Sequence, residues 1–400
     1  MLGAIFSIFA FEKENIGFTM NLMSGFASAL AISFMYWSII LILKKITDTS
    51  EASINKQILI SGSALVGSLA FAFTDTFWFS AVETEVYAMA TLIMAVIFYL
   101  GLRWEADMHN SRGDKWLLLI CFVIGLSFGV HFMGLLVIPA IVMIYYFKNQ
   151  KRILNSTKLN PIIGFFIANI IGLAILMGVF KLLLPSTLRF FSAIELLFVN
   201  NLGLPFNSGT LVAFVVIVYA FYFLINYTRK KGMVRANTIT LCFLFIFIGF
   251  SSWLILPIRA NADVVVNEND PSNARELLAY YNLEQYPKTY LFYGPLFSDQ
   301  YSGLDKNKPY KDDNPKYEKD LINNKYKIVN DYKNAVQNIN SDNASMLPRM
   351  WSSEHAKNYL NYSGYLDFKI KSKYISENEL VEFVRNFKSK INPTQQWLQQ

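Results

Sequence analysis

Four stretches of this 400-residue chain carry side chains that could do chemistry together. The segment FTDTFWFSAVETEVYA (73–88) holds three carboxylates, Asp75, Glu83 and Glu85, among Phe77, Trp78, Phe79 and Tyr87. GVHFMG sets His131 between two glycines, where an imidazole can bind an anionic or hydroxylated ligand. The stretch LRFFSAIELLFVNNLGLPFNSGT (188–210) adds Arg189 and Glu195, and LPIRANADVVVNENDPSN adds Arg259. A guanidinium held on a rigid helix end can grip a phosphate through two parallel hydrogen bonds. Carboxylates, an imidazole and guanidinium groups together suit chemistry between a membrane-borne phosphate ester and an acceptor, provided one face gathers them. Each group also has a plainer reading. The carboxylates fit a water-exposed hairpin tip, His131 a satisfied polar contact, 188–199 an amphipathic linker, and Arg259 a snorkelling headgroup contact.

The elements that would position these groups are membrane helices. With 54% hydrophobic, 16% aromatic and only 16% charged residues, the composition fits no ordinary soluble protein. Apolar runs of 18 or more residues crowd 1–260 and are missing from 261–400, so a transmembrane domain (1–260) and a polar domain (261–400) are expected. Splitting the long run at Gly129–Gly134 yields eight spans: 18–43, 57–79, 86–102, 116–131, 133–147, 161–184, 210–227 and 238–258. Asp75 falls inside the second. The tail reads as a small α+β domain, helix-like at 271–284 and 376–391 and strand-like at 289–293 and 365–370. The expected fold is an all-α polytopic bundle followed by this α+β domain.

Charge orients the bundle. Residues 1–260 hold 18 Lys and Arg against 11 Asp and Glu, while 261–400 hold 18 of each, so the whole net charge of +7 lies in the apolar half. Fourteen basic residues occupy alternate connections: Lys44, Lys45 and Lys56; Arg103, Arg112 and Lys115; Lys148, Lys151, Arg152 and Lys158; Arg229, Lys230, Lys231 and Arg235. The other connections hold four, namely Lys13, Lys181, Arg189 and Arg259. This bias puts the first set in the cytoplasm, and the carboxylates, His131, Arg189, Arg259 and the tail outside. Such a basic excess argues against nucleic acid as partner. Cys121 and Cys242 lie in apolar runs and say nothing of redox compartment, and three histidines exclude a Cys/His zinc centre. By the same reckoning Met1 stands outside without a signal peptide, so the expectation is that an upstream span is missing.

In this order, FTDTFWFSAVETEVYAMATL, GLSFGVHFMGLLVIPAI, ELLFVNNLGLPFNSGT, IRANADVVVNENDP and LLAYYNLEQYPKTYLFYGP resemble the DUF2723 membrane proteins common in Bacteroidetes. That family is related to the eukaryotic transmembrane O-mannosyltransferase. The likeness covers about residues 1–300 and reaches more weakly into LPRMWSSEHAKNY (347–359). It implies a GT-C glycosyltransferase of the bacterial inner membrane with a periplasmic tail. Such an enzyme moves a mannose-like sugar from a polyprenyl-phosphate donor to an exported protein or glycan acceptor, amid membrane lipids. The family's first outward loop carries a catalytic or metal-associated carboxylate in D-x-G-E, followed by H-P-P-G, upstream of a helix similar to MLGAIFSIFAF. This chain starts at that helix. The resemblance therefore implies an N-terminally truncated member, inactive as given, with no catalytic residue assignable; the ending INPTQQWLQQ suggests loss there too.

Glu83 and Glu85 match the family's E-x-E-V-Y, His131 its G-V-H, and Arg259 its I-R-x-N-A. By this resemblance the two glutamates orient sugar or acceptor hydroxyls, or hold a divalent cation should one serve as cofactor. His131 binds the donor head, and Arg259, with Arg189 second, offsets charge on the departing phosphate. Asp75 and Glu195 complete the candidate substrate-binding set. Two rival readings remain: a transporter of lipid-linked sugar, and a non-catalytic membrane anchor whose tail binds partners.

Overall fold

The computed structural model describes residues 2–47, 53–110, 112–157, 160–262, 264–284, 286, 290, 292–295, 304–305, 307–339, 344–347, 355 and 358. Lys158, the expected strand 365–370, the expected helix 376–391 and parts of 289–293 and 347–359 lie outside them. The chain forms two compact units, residues 1–194 with 210–282 and residues 195–209 with 283–400.

The first unit is helical. Short α1 (Leu2–Ser7) precedes α2 (Ile16–Ile46), α3 (Ile54–Ala72), α4 (Asp75–Val82), α5 (Val86–Asp107) and α6 (Asp114–Ser127). A 3-10 turn at Phe132–Val137 leads into α7 (Ile138–Thr157). Then come α8 (Pro161–Met177), a π-helical segment at Gly178–Leu183, α9 (Leu184–Leu196), α10 (Ser208–Lys230), α11 (Val234–Phe250), α12 (Ile255–Ala260) and α13 (Ala274–Asn282).

All eight expected stretches fall on helices, but not all as simple spans. Among the described residues, six helical runs are long and apolar enough to cross a membrane. The pair α3 and α4, bent by 70°, makes a seventh when it counts as one span. The bend arises at Phe73 and Thr74, where Thr74 turns extended (φ −72°, ψ 141°) and its hydroxyl donates to the Phe71 carbonyl. Helix α6, with 14 residues, is about 21 Å long and falls short of the roughly 30 Å hydrocarbon layer. The span expected at 161–184 and the helix expected at 188–199 are one helical run of 41 residues, Pro161–Asn201, with no break between them.

Burial is inside out relative to a soluble protein. Large apolar residues such as Phe165, Ile170, Val215, Tyr219 and Phe223 face outward, whereas Ser24, Ala27, Ala31, Ala64, Ser68, Ala88 and Ala90 are buried. In lipid there is no hydrophobic force between helices, so close packing by small residues must supply the attraction. The tightest approach joins α6 to α11: a Cβ on Gly125 would overlap the Ile246 carbonyl oxygen, and one on Gly249 the Phe122 carbonyl oxygen. The two helices run parallel. Near their starts Thr238 donates to Asp114 at 2.9 Å, and beyond their ends Gly129 abuts Ser252.

The four basic connections collect at one end of this unit. Glu105 of α5 pairs with Lys45 of α2 at 2.7 Å and Lys148 of α7 at 3.0 Å. Asp107 accepts the Trp116 indole N–H at 2.7 Å, and Asn237 of α11 donates to Thr228 of α10 at 2.9 Å. Turns 73–85 and 128–132, with α12, occupy the opposite end.

The second unit holds three antiparallel pairs among its described residues: β1 (Tyr293–Pro295) with β6 (Ala344–Met346), β2 (Tyr310–Lys311) with β5 (Val336–Gln337), and β3 (Lys316–Asp320) with β4 (Lys325–Asn330).

Replacing Gly125 by Ala should cost about 3 kcal/mol, because neither backbone can retreat from the added methyl. The Gly178→Ala change, which meets nothing within 4 Å, should stay within about 0.5 kcal/mol of the parent. Thermal unfolding in detergent checks this; equal midpoints would mean that α6 and α11 do not touch there.

Candidate functional site

At the end opposite the basic connections, two of the expected motifs meet. Glu83 closes α4 and Glu85 opens α5, both extended and exposed, with the Glu85 N–H donating to the Glu83 carbonyl at 2.9 Å. Between them Thr84 donates to Asn21, tying the link to α2. One turn on, the Tyr87 ring lies 5.6 Å from the His131 ring. His131 is half-buried and extended (φ −162°), and the 3-10 turn begins on it, four residues after α6 ends at Ser127. Its Nδ1 accepts the Met133 N–H at 3.1 Å. In the neutral ring the proton therefore sits on Nε2, which is left as a donor.

Behind His131 lies an aromatic basin. Phe132 packs against Phe128, Phe180 and Tyr281, and Tyr281 also meets Trp253 at 5.5 Å. The Tyr281 hydroxyl donates to the Phe180 carbonyl at 2.6 Å. Phe180 lies in the π-helical segment, where looser backbone pairing leaves a carbonyl open to a side-chain donor. Burial pushes the Tyr281 phenol well above the ordinary tyrosine range. Tyr281 was not among the expected residues. Its signal was the i, i+4 spacing of Leu277 and Tyr281 on a short amphipathic helix, which marks a buried face without naming what covers it.

Asp75 stands at the first position of α4, in the second half of the bent α3–α4 pair, exposed, where the helix dipole favours a carboxylate. Arg259 is exposed in the last turn of α12. The following loop fixes that turn: the Asn261 amide donates to the Pro257 and Ser272 carbonyls, and the Asn267 amide donates to Ala260 and Asp270. Arg189 is exposed on α9. Among the described residues, Asp75, Arg189 and Arg259 form no ion pair. No three His, Cys, Asp or Glu side chains among the described residues gather closely enough to hold a metal.

A cavity of about 720 Å³ runs between α8–α9 and α10–α11. Val179, Leu183, Phe190, Ala220, Phe243 and Phe247 make it apolar, and Ser186 and Thr187 bring hydroxyl groups. Arg189 adjoins it in sequence.

Glu195 belongs to the second unit and is 5% exposed. Its Oε1 accepts the Asn207 N–H at 2.6 Å and the Tyr326 hydroxyl at 3.2 Å. The Asn200 amide pairs with the Tyr326 backbone in both directions, at 2.8 and 2.9 Å, as a neighbouring strand would. Phe206 packs edge-on against the Tyr326 ring. These partners make Glu195 a tie between the link 195–209 and β4.

Residues 1–154 match the family model described as the protein O-mannosyl-transferase TMEM260 N-terminal domain, and residues 287–392 match a family of unknown function, DUF8416. No curated protein and no solved structure matches the chain. The N-terminal part is thus similar to an O-mannosyltransferase-like membrane domain, the relative that the resemblance implied. His131 and the Glu83–Tyr87 link both fall within it.

Burial and the Glu195 carboxylate raise the Tyr326 phenol well above its ordinary value. The folded phenol keeps its proton where an unfolded tyrosine, with a pKa of about 10, gives it up. That stabilisation is complete below about pH 10 and disappears as pH rises through the folded value. Tyr326→Phe should cost about 2 kcal/mol at pH 8 and flatten the alkaline loss. Unfolding curves from pH 8 to 12 test it; a parallel alkaline loss in the variant would put its origin elsewhere.

Proposed function

We propose that the chain serves as an integral-membrane glycosyltransferase, moving a mannose-like sugar from a polyprenyl-phosphate donor to an exported protein or glycan acceptor. The observation that carries this reading is the match of residues 1–154 to an O-mannosyl-transferase domain, the part of the chain in which Tyr87 meets His131. The extracytoplasmic face of a bacterial inner membrane is the proposed location, in keeping with the basic connections gathered at the other end.

The donor has two unlike parts, and the chain offers a place for each. Its polyprenyl tail suits the apolar cavity between α8–α9 and α10–α11, whose outward walls meet lipid. Its phosphate suits a guanidinium: Arg259 on the fixed end of α12, or Arg189 beside Phe190 at the cavity's polar end. As the acceptor hydroxyl attacks the anomeric carbon, the bond from that carbon to the phosphate oxygen breaks and charge collects on the phosphate. A cation already in position stabilises that charge without reorganising at the moment of reaction. His131 Nε2–H donates to a sugar hydroxyl, and the exposed Glu83 and Glu85 accept from sugar or acceptor hydroxyls. Asp75 lies one short helix away, at the start of α4. The base that takes the acceptor proton is assigned to no residue of this chain.

The protein in lipid nanodiscs, given radiolabelled polyprenyl-phosphate mannose and a Ser/Thr-rich peptide, should bind the donor saturably and transfer label to the peptide. Label crossing the bilayer of proteoliposomes without transfer would make it a transporter; neither result would leave a membrane anchor. Ala220→Trp, which fills the cavity, and Arg259→Ala should each weaken donor binding at least tenfold, about 1.4 kcal/mol. Unchanged binding in the first variant would take the tail out of the cavity, and in the second would take Arg259 away from the phosphate.

A further inference from the structure

The π-helical segment Gly178–Leu183 serves two places at once. Val179, Leu182 and Leu183 line the apolar cavity, whereas Phe180 turns to the aromatic basin and packs against Phe132 at 4.9 Å. In the same segment stands Lys181, whose chemistry nothing above uses. It is the one charged residue between Pro161 and Leu188. A charge within a membrane-crossing run is costly to place, and it points to a function unless the fold consumes it.

The fold consumes little of this one. The Lys181 ammonium lies over the Phe180 ring, 4.6 Å from its centre. A ring face holds a cation in place without neutralising it, and an ammonium has three N–H donors to give. Lys181 is exposed, and among the described residues no carboxylate lies within ion-pair distance of it. The ring beneath it is fixed from behind. Tyr281 donates to the Phe180 carbonyl at 2.6 Å and packs against the Phe180 ring, and Phe132, which also packs there, lies 6.4 Å from the His131 ring. A π-helical segment inside an α-helix is rare and recurs at functional sites, because it redirects side chains that a regular helix would keep in register.

A lipid-linked sugar phosphate has an apolar tail, an anion and a sugar, joined in that order. Residues 178–183 touch the apolar cavity, carry a fixed cation without a counter-ion and reach the rings beside His131. We infer that Lys181 binds the phosphate of the lipid-linked donor, as a cation additional to Arg189 and Arg259. This rests on the donor reading above and adds the residue that joins the place for the tail to the place for the sugar.

The test measures equilibrium binding to the full chain in phosphatidylcholine nanodiscs, with polyprenyl-phosphate mannose and the neutral polyprenol of equal length as probes. Lys181→Met should weaken binding of the phosphate lipid at least about tenfold and change polyprenol binding less than about twofold, because the ammonium meets the anion alone. Lys181→Arg, which keeps the charge, should stay within about threefold of the parent for both lipids. Equal loss of both lipids in Lys181→Met would overturn the assignment, since Lys181 would then shape the site rather than bind phosphate. So would unchanged binding of the phosphate lipid. Bulk phospholipid is the other source of a lipid phosphate. Adding phosphatidylglycerol to about a third of the disc lipid should leave donor binding to the parent within about threefold; a larger loss, abolished by Lys181→Met, would make Lys181 a headgroup contact instead. A parent chain that binds neither probe would overturn the donor reading itself and this assignment with it, whereas an indifferent variant of a binding parent would remove Lys181 alone.

Discussion

The helical unit depends on the parallel contact of α6 with α11. Gly125 and Gly249 let the two backbones meet without intervening side chains. Dispersion and close packing hold helices together where apolar burial cannot, and they weaken steeply with separation. That contact sets what happens at both ends of the pair. At one end Asp114 meets Thr238, beside the basic connections. At the other, the Gly129 turn that presents His131 rests against Ser252, on the approach to α12 and Arg259.

Parallel neighbours also constrain the path of the chain between them. For α11 to point the same way as α6, the path through α7, α8–α9 and α10 must reverse direction four times. The short α6 therefore keeps a spanning helix's place in the alternation, although its 14 residues do not span the layer alone. Its shortness is what brings the His131 turn down into the bundle, against Tyr87 and in front of the Phe132, Phe180 and Tyr281 rings.

Burial sorts the candidate residues into two kinds. Glu195 is buried and bonded to Asn207 and Tyr326, and a buried carboxylate of this sort holds a fold because unpairing it would strand a charge. Glu83, Glu85, Arg189 and Arg259 are exposed and keep their hydrogen-bonding capacity for something else. The same sorting separates Tyr281, closed into the aromatic basin, from Tyr87, whose half-exposed ring stands over an imidazole that still has a proton to give.

Helical class, the positions of the apolar stretches and the clustering of the basic connections were legible in the residues alone. Each follows from the cost of placing polar backbone or charge in hydrocarbon, which every residue reports independently of its neighbours. The bend at Thr74, the unbroken run from Pro161 to Asn201 and the capture of Glu195 by Tyr326 were not legible. These depend on which surfaces meet: a threonine hydroxyl closing on the turn before it, a helix continuing through a π-helical segment and Pro185, a phenol arriving from 131 residues away. Pattern along the chain determines which segments lie in the membrane. Contact between distant segments decided which of the charged residues were consumed by the fold and which remained for chemistry.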